Sequence, residues 1–286
     1  MLLRSFMDSV TIRVPATSAN LGPGYDCLGL ALALYNQTEL RRATPATPPP
    51  EMVRITADLF FERAEVKPFV FGWKIEGEVP RSRGLGSSVT VRLGLLHALN
   101  ELSDEPLERE ELFQLCAELE GHPDNAAPAE FGGFTVASAE GCLSFPVEEA
   151  LQVVLLIPEF EVSTPEARKV LPETVPHREA VTSAANAARV TAAFASGRYS
   201  ALEGCFEDYL HQPYRQKLLP FLPEVIAAAT RSWAIGGFLS GSGSTIAALT
   251  LENAKGVATA MLEALPAGVT AQTVITRVDN HGVQRV

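Results

Sequence analysis

A mixed α and β fold is what this sequence predicts, and three observations carry it. Strand-like and helix-like segments alternate along all 286 residues. The composition is 47% hydrophobic and 20% charged, enough apolar material for a buried core. No repeat at solenoid period is present. The length suits one large domain or two smaller ones, with a boundary near residues 145–150, after the turn at Gly141.

Residues 10–14 alternate and carry two β-branched valines, so they read as a strand. Residues 28–34 are apolar and small. Residues 42–50 (RATPATPPP) are a proline-rich linker or exposed loop. Residues 69–75 read as a strand, and residues 89–102 as a helix apolar on most sides. Residues 106–119 place Leu112, Leu115, Cys116 and Leu119 at amphipathic helical spacing, with Pro106 suited to a first helical position. Residues 131–137 and 151–157 read as strands, and 180–195 and 223–232 as helices. Residues 238–251 hold a glycine-serine turn between apolar runs. Residues 254–265 form a helix and 269–278 a closing strand.

The formal net charge is -11, which argues against a nucleic-acid partner or an anionic membrane surface. It leaves room for a phosphate ligand, which backbone N–H groups can bind locally. No apolar run is long enough to span a bilayer. Residues 1–9 lack the sustained apolar stretch of a signal peptide. Cys27, Cys116, Cys142 and Cys205 show no metal-ligand or CxxC spacing, so free thiols in a reducing, cytoplasmic setting are expected.

Four segments carry chemistry. Residues 80–88, PRSRGLGSS, run directly into the 89–102 helix. Gly84 and Gly86 permit close backbone approach, the serines can bond phosphate or magnesium, and the helix start supplies free N–H groups. A serine-capped helix start after a flexible turn describes the same residues equally well. The loop is neither Walker A nor GxGxxG. Residues 15–26 end a strand in a polar turn with Asn20 and Asp26, a place for substrate contacts or a turn bonding its own backbone. Residues 118–125, ELEGHPDN, concentrate charge at a helix end. Either Glu118 or Glu120 could hold magnesium, and solvated charges beside a glycine cap are the alternative. Residues 239–245, LSGSGST, suggest backbone packed close to something, or a flexible hairpin.

In this order the segments resemble the kinase superfamily that includes galactokinase, homoserine kinase, mevalonate kinase and phosphomevalonate kinase. PATSANLGPGYDCLG, GHPDNAAPAEFGG, SGSGST and the arginine-bearing HQPYRQKLLP (residues 211–220) most resemble the homoserine kinases, and the resemblance spans essentially the whole chain. It implies a two-domain α+β fold. Residues 1–148 would carry a mixed sheet and the phosphate loop (ribosomal protein S5 domain 2-like), and residues 149–286 a ferredoxin-like α/β layer, with the active site between them.

The resemblance also implies roles. Pro80, Arg81, Ser82, Arg83, Gly84, Leu85, Gly86, Ser87, Ser88, Val89 and Thr90 wrap the ATP phosphates, and residues 240–245 lie against the phosphate site and brace it, with Ser242 and Gly243 also binding ATP. Ser88, or Ser87, and Glu118 coordinate Mg2+. Asn20, Asp26, Asn125 and Arg215 line the acceptor site, with His122 and Thr182 or Ser183 nearby. Asn20, Asn125 and Arg215 are the expected catalytic set, and a homodimer the expected assembly. For L-homoserine, Asp26 would pair with the ammonium, Arg215 would grip the carboxylate bidentately, and Asn125 would orient the hydroxyl. An amide cannot accept a proton, so attack would proceed without a dedicated side-chain base, and Asp124 would point elsewhere. Three features depart from the family pattern: Ser244 where proline is usual, Val89 where alanine is usual, and a short 42–53 stretch without an asparagine for adenine. A sister kinase with a mevalonate or sugar acceptor, and a non-catalytic ATP sensor, are the competing readings.

Overall fold

The computed structural model describes residues 9–45, 47–138 and 140–286. The expectation for residues 1–9 falls, apart from Ser9, outside them. In chain order the elements begin with β1 (Ser9–Ala19), β2 (Leu28–Arg41), α1 (Glu51–Arg63), β3 (Gly72–Gly77), α2 (Ser87–Leu102) and α3 (Arg109–Glu120). Then follow α4 (Ala126–Phe131), β4 (Phe134–Ser138), β5 (Gly141–Phe145), β6 (Gln152–Pro158), α5 (Thr164–Lys169) and α6 (His177–Ala195). After a 3-10 turn (Tyr199–Leu202) come α7 (Gln212–Arg215), α8 (Leu222–Arg231), β7 (Gly236–Leu239), β8 (Ile246–Thr250), α9 (Ala254–Glu263), β9 (Ala271–Arg277) and β10 (Gln284–Arg285).

Two sheets result. The first has the order β10-β1-β2-β4-β5, with β3 also paired to β2. A mixed sheet is expected there, but every pairing among the described residues is antiparallel. The second sheet has the order β7-β8-β6-β9, also antiparallel. The chain passes from one sheet to the other between Phe145 and Gln152, and β10 then returns to the first.

β1 continues past residue 14 because its register shifts between Pro15 and Ala16. A bulge of this kind accommodates a proline that cannot donate to the ladder. Pro106 precedes α3 rather than opening it. Glu108 stands at the N-cap, its N–H donating to Glu111 Oε2 at 2.8 Å. α1 buries Val53, Thr56, Ala57, Phe60 and Phe61, an i, i+3, i+4, i+7, i+8 stripe that the sequence analysis leaves unassigned.

Three apolar layers hold these elements. One packs α1, α2 and α3 on the first sheet through Ile12, Phe60, Leu93, Leu96 and Leu115. The middle layer joins the two sheets and α6. The outer layer packs α8 and α9 on the second sheet. β6 alternates between the last two: Val153 and Leu155 face the middle layer, Val154 and Leu156 the outer. That is why residues 153–157 are continuously apolar. Phe134 on β4 stacks on Phe194 of α6 with centroids 4.2 Å apart, and both are buried.

Phe134→Ala is expected to cost about 3–5 kcal/mol of unfolding free energy, whereas Leu143→Ala, 64% exposed on β5, is expected to stay within about 0.5 kcal/mol; urea denaturation measures both.

Candidate active site

The residues before α2 wind through left-handed backbone at Ser82, Gly84 and Gly86, with φ of 53°, 71° and 66°. A Cβ on Gly84 would meet Ser240 O at 2.1 Å, and one on Gly86 would meet Thr17 Oγ1 at 2.1 Å. Glycine is therefore required twice over, by dihedral and by space. Thr17 N–H donates to Leu85 O (3.2 Å), Thr245 N–H to Arg83 O (3.1 Å) and the Ser240 hydroxyl to Gly84 O (2.7 Å). The expectation that residues 240–245 brace the loop describes these contacts. Gly86 is the N-cap of α2 and no side chain caps it. Ser87 and Ser88 lie inside the helix rather than capping it, so the first-turn N–H groups face a cavity of about 530 Å3.

That cavity runs from Arg81–Val89 to a charged end formed by Asn20, Asp26, His122, Asp124, Asn125, Arg168 and Arg215. Asn20, at φ 73°, accepts Asp26 N–H at 3.0 Å and donates to Gly241 O at 3.1 Å. Asp26 receives both terminal nitrogens of Arg168, at 2.9 and 3.1 Å, and Arg168 also donates to the Tyr25 hydroxyl at 2.9 Å. His122 Nδ1 lies 2.6 Å from Asp124 Oδ1. Burial pushes the His122 pKa down, but the hydrogen bond and charge of Asp124 outweigh it and leave it raised. Asn125 accepts the Thr17 hydroxyl at 2.7 Å and donates to Asp124 at 3.2 Å.

Arg215 is buried. Its Nε donates to Ala167 O (3.2 Å), and its Nη1 to Gly241 O (2.9 Å) and His211 Nδ1 (3.2 Å). His211 donates from Nε2 to Gly22 O at 2.8 Å. Burial first of all, with Arg215 adding to it, lowers its pKa to about 4, so the ring is neutral and Nδ1 is free to accept.

Several expected positions are corrected by this geometry. Glu118 points away, paired with Arg63 at 3.0 Å and 57% exposed. Two residues on, and so roughly 200° further round the helix, Glu120 accepts the Ser88 hydroxyl at 2.9 Å. Ser183 is buried in α6, accepting Tyr209 N–H at 3.0 Å, and Thr182 bonds Arg178 O on the exposed side. Neither lines the cavity, whereas Thr164 and Arg168 do. Asp124 faces the site rather than pointing elsewhere. Arg215 has Nε and Nη1 committed, so it offers Nη2 rather than a two-pronged grip. Pro80, Thr90 and Gly243 lie outside the lining. Thr90 instead accepts from Asn36 at 2.8 Å. Ser242 does line the cavity.

Arg168 went unremarked in the sequence, although the N-cap serine and following proline of STPEARK signal the short helix that carries it. An apolar end formed by Pro50, Met52, Val53, Trp73, Ile75 and Val91 was also missed. It lies beside the phosphate loop, where a nucleobase would be sought.

Ser88 and Glu120 fit a magnesium ion, which favours one or two carboxylates with phosphate oxygens. Glu120 Oε1 is buried without a hydrogen-bond partner, its one close charge being Arg92 Nη1 at 3.0 Å, and a cation could take it by replacing that charge. Asp26, His122 and Asp124 also converge, their ligand atoms lying within 4.8 Å of one another. Asp26 is paired there with Arg168, and His122 with Asp124.

A helix start stripped of side-chain caps, facing a pocket of paired charges, defines a small-molecule phosphotransferase. The family model of the GHMP kinases' N-terminal domain matches residues 51–133, and that of the GHMP kinases' C-terminal domain residues 177–267. A homoserine kinase of Carboxydothermus hydrogenoformans is 38% identical over 96% of this chain and 95% of its own. One of Trichormus variabilis is 39% identical over 97% and 99%. The crystal structure of homoserine kinase from Cytophaga hutchinsonii superposes with a TM-score of 0.89 at 26% identity, covering 100% of both chains. A crystal structure of mevalonate kinase, at 14% identity and TM-score 0.71 over 95% of this chain and 100% of its own, shares the fold. The chain belongs to the GHMP kinase family, on its homoserine kinase branch.

Because the His122 pKa is raised, the stability its charged form contributes is complete below the unfolded value, near 6.5, and is lost as pH climbs through the folded value. NMR titration of the ring is expected to show a midpoint above 6.5 in the parent protein and below it in Asp124→Asn, where burial and the Arg168 charge are opposed only by Asp26.

Proposed function

We propose that the protein is an ATP-dependent homoserine kinase that transfers the γ-phosphoryl group to the hydroxyl of L-homoserine, giving ADP and O-phospho-L-homoserine, a step toward threonine. One observation carries the choice of acceptor: Asp26 and Arg168 face each other in the lining of the cavity, an ion pair matched to the two charges of an amino acid. The substrate's ammonium takes Asp26, and its carboxylate takes Arg168 and Arg215 Nη2. A sugar has neither charge, and mevalonate only one.

The triphosphate lies on the residue 81–89 loop and the α2 N-terminus, where backbone N–H groups and the helix dipole meet its charge. Ser88 and Glu120 would hold Mg2+, which would supply neutralisation of the phosphate charge. Asn125, fixed by Thr17, orients the hydroxyl. The hydroxyl oxygen attacks the γ-phosphorus, the bond to the β–γ bridging oxygen breaks, and the hydroxyl proton passes to an oxygen of the transferred phosphoryl group and then to solvent, without a dedicated side-chain base. Phosphoryl transfer permits this, because positioning and charge stabilisation supply most of the acceleration. A cytoplasmic homodimer is the assembly and setting that accord with this reading.

ADP release is expected with homoserine and not with serine, threonine, mevalonate or galactose. Release with another acceptor would replace the substrate assignment, and no release with any of them would favour a nucleotide sensor. Arg168→Ala is expected to raise KM for homoserine about 10²-fold or more, with KM for ATP nearly unchanged; steady-state kinetics with each substrate varied in turn reads the split.

A further inference from the structure

Ser88 and Arg92 stand four residues apart on α2, so they share one face of the helix. That face looks at Glu120, the last residue of α3. Glu120 Oε2 accepts the Ser88 hydroxyl at 2.9 Å, while its Oε1 lies 3.0 Å from Arg92 Nη1. Both side chains are mostly buried, at 18% exposure for Arg92 and 11% for Glu120. Yet Arg92 Nε and Nη1 and Glu120 Oε1 lack hydrogen-bond partners among the described residues. The contact is therefore a charge pair off hydrogen-bond geometry. A guanidinium on a carboxylate normally gains from aligned N–H···O bonds, and this one does not.

We propose that Arg92 is a positioning residue that holds the place of the metal on Glu120, so that a divalent cation enters with the nucleotide rather than before it. This rests on the assignment of Ser88 and Glu120 as metal ligands. With the cavity empty, the guanidinium neutralises a carboxylate that would otherwise be buried as an unpaired charge. A free divalent cation must displace Arg92, and it gains only one carboxylate and one hydroxyl in return. A cation already carried by a triphosphate brings its phosphate ligands with it, so the exchange costs it less. The poor alignment of the pair keeps the exchange cheap.

The probe is Mn2+ alone, with free ion counted by its EPR signal as it is titrated into nucleotide-free protein. Arg92→Met is expected to bind Mn2+ about tenfold more tightly than the parent, through loss of a charge pair at close range. Arg92→Lys, which keeps the charge, is expected to bind like the parent. With a non-hydrolysable ATP analogue present, the parent and Arg92→Met are expected to converge. Adding Glu120→Gln to Arg92→Met is expected to abolish the gain. Arg92→Gln serves the same comparison should Arg92→Met lose its near-UV circular dichroism. Equal Mn2+ affinity in the parent and the folded neutral variants, or tightening in Arg92→Lys as well, overturns the role of Arg92. If Glu120→Gln alone leaves Mn2+–nucleotide binding unchanged, the metal assignment itself fails and the inference with it.

Discussion

The structure turns on the contact between the phosphate loop and the turn at residues 240–245. Ser240 donates to Gly84 O, and the Ser18 hydroxyl, 2.7 Å from Ser240 Oγ, in turn donates to it. Gly241 N–H reaches Ala19 O at 3.1 Å. Three chain segments, two from the first sheet's half and one from the second's, are thus joined by small residues that leave no room for a Cβ at Gly84. The cavity exists because this junction holds the two halves at a fixed separation. Its polar groups are spent on one another, so the loop reaches its ligand already shaped, without ordering entropy left to lose.

Charge at the acceptor end follows the same economy. Arg168 is satisfied by Asp26 and Tyr25, Arg215 by two carbonyls and a neutral histidine, and His122 by Asp124. Tyr25 lies beneath both guanidinium groups, 5.7 and 5.3 Å from its centroid, and stacks on His211. A chain with a net charge of -11 can in this way concentrate cations in one pocket, since local geometry rather than overall charge sets what a cleft attracts.

How much of this was legible in the sequence differs by level. Glycine and serine motifs were readable because backbone demands, a positive φ or a missing Cβ, leave direct marks in composition. The four segments were found, but the side chains within them were harder. Glu118 and Glu120 both flank the apolar stripe of α3, and only the neighbours, Arg63 on one side and Ser88 on the other, decide which meets the phosphate loop. Arg168 comes from a six-residue helix whose partner Asp26 is 142 positions away, a pairing no local pattern encodes. α1 shows a different limit: its buried stripe is periodic, but it starts straight after a proline run with no side-chain cap to mark it. Ser183 sits in a true helix, but its hydroxyl is consumed by Tyr209 N–H.

The return of β10 to the first sheet has a consequence for biosynthesis. β10 covers the outer edge of β1, pairing Ile12 with Arg285, and Val286 N–H reaches Thr11 O at 3.0 Å. During translation that edge stays bare until residues 284–286 have cleared the ribosomal tunnel. β1, the first of this sheet's described strands to emerge, is thus the last to be sheltered along that edge, and an unshielded strand edge is an open template for pairing with other chains. Nascent copies on one polysome are therefore exposed to one another along that edge until β10 has followed.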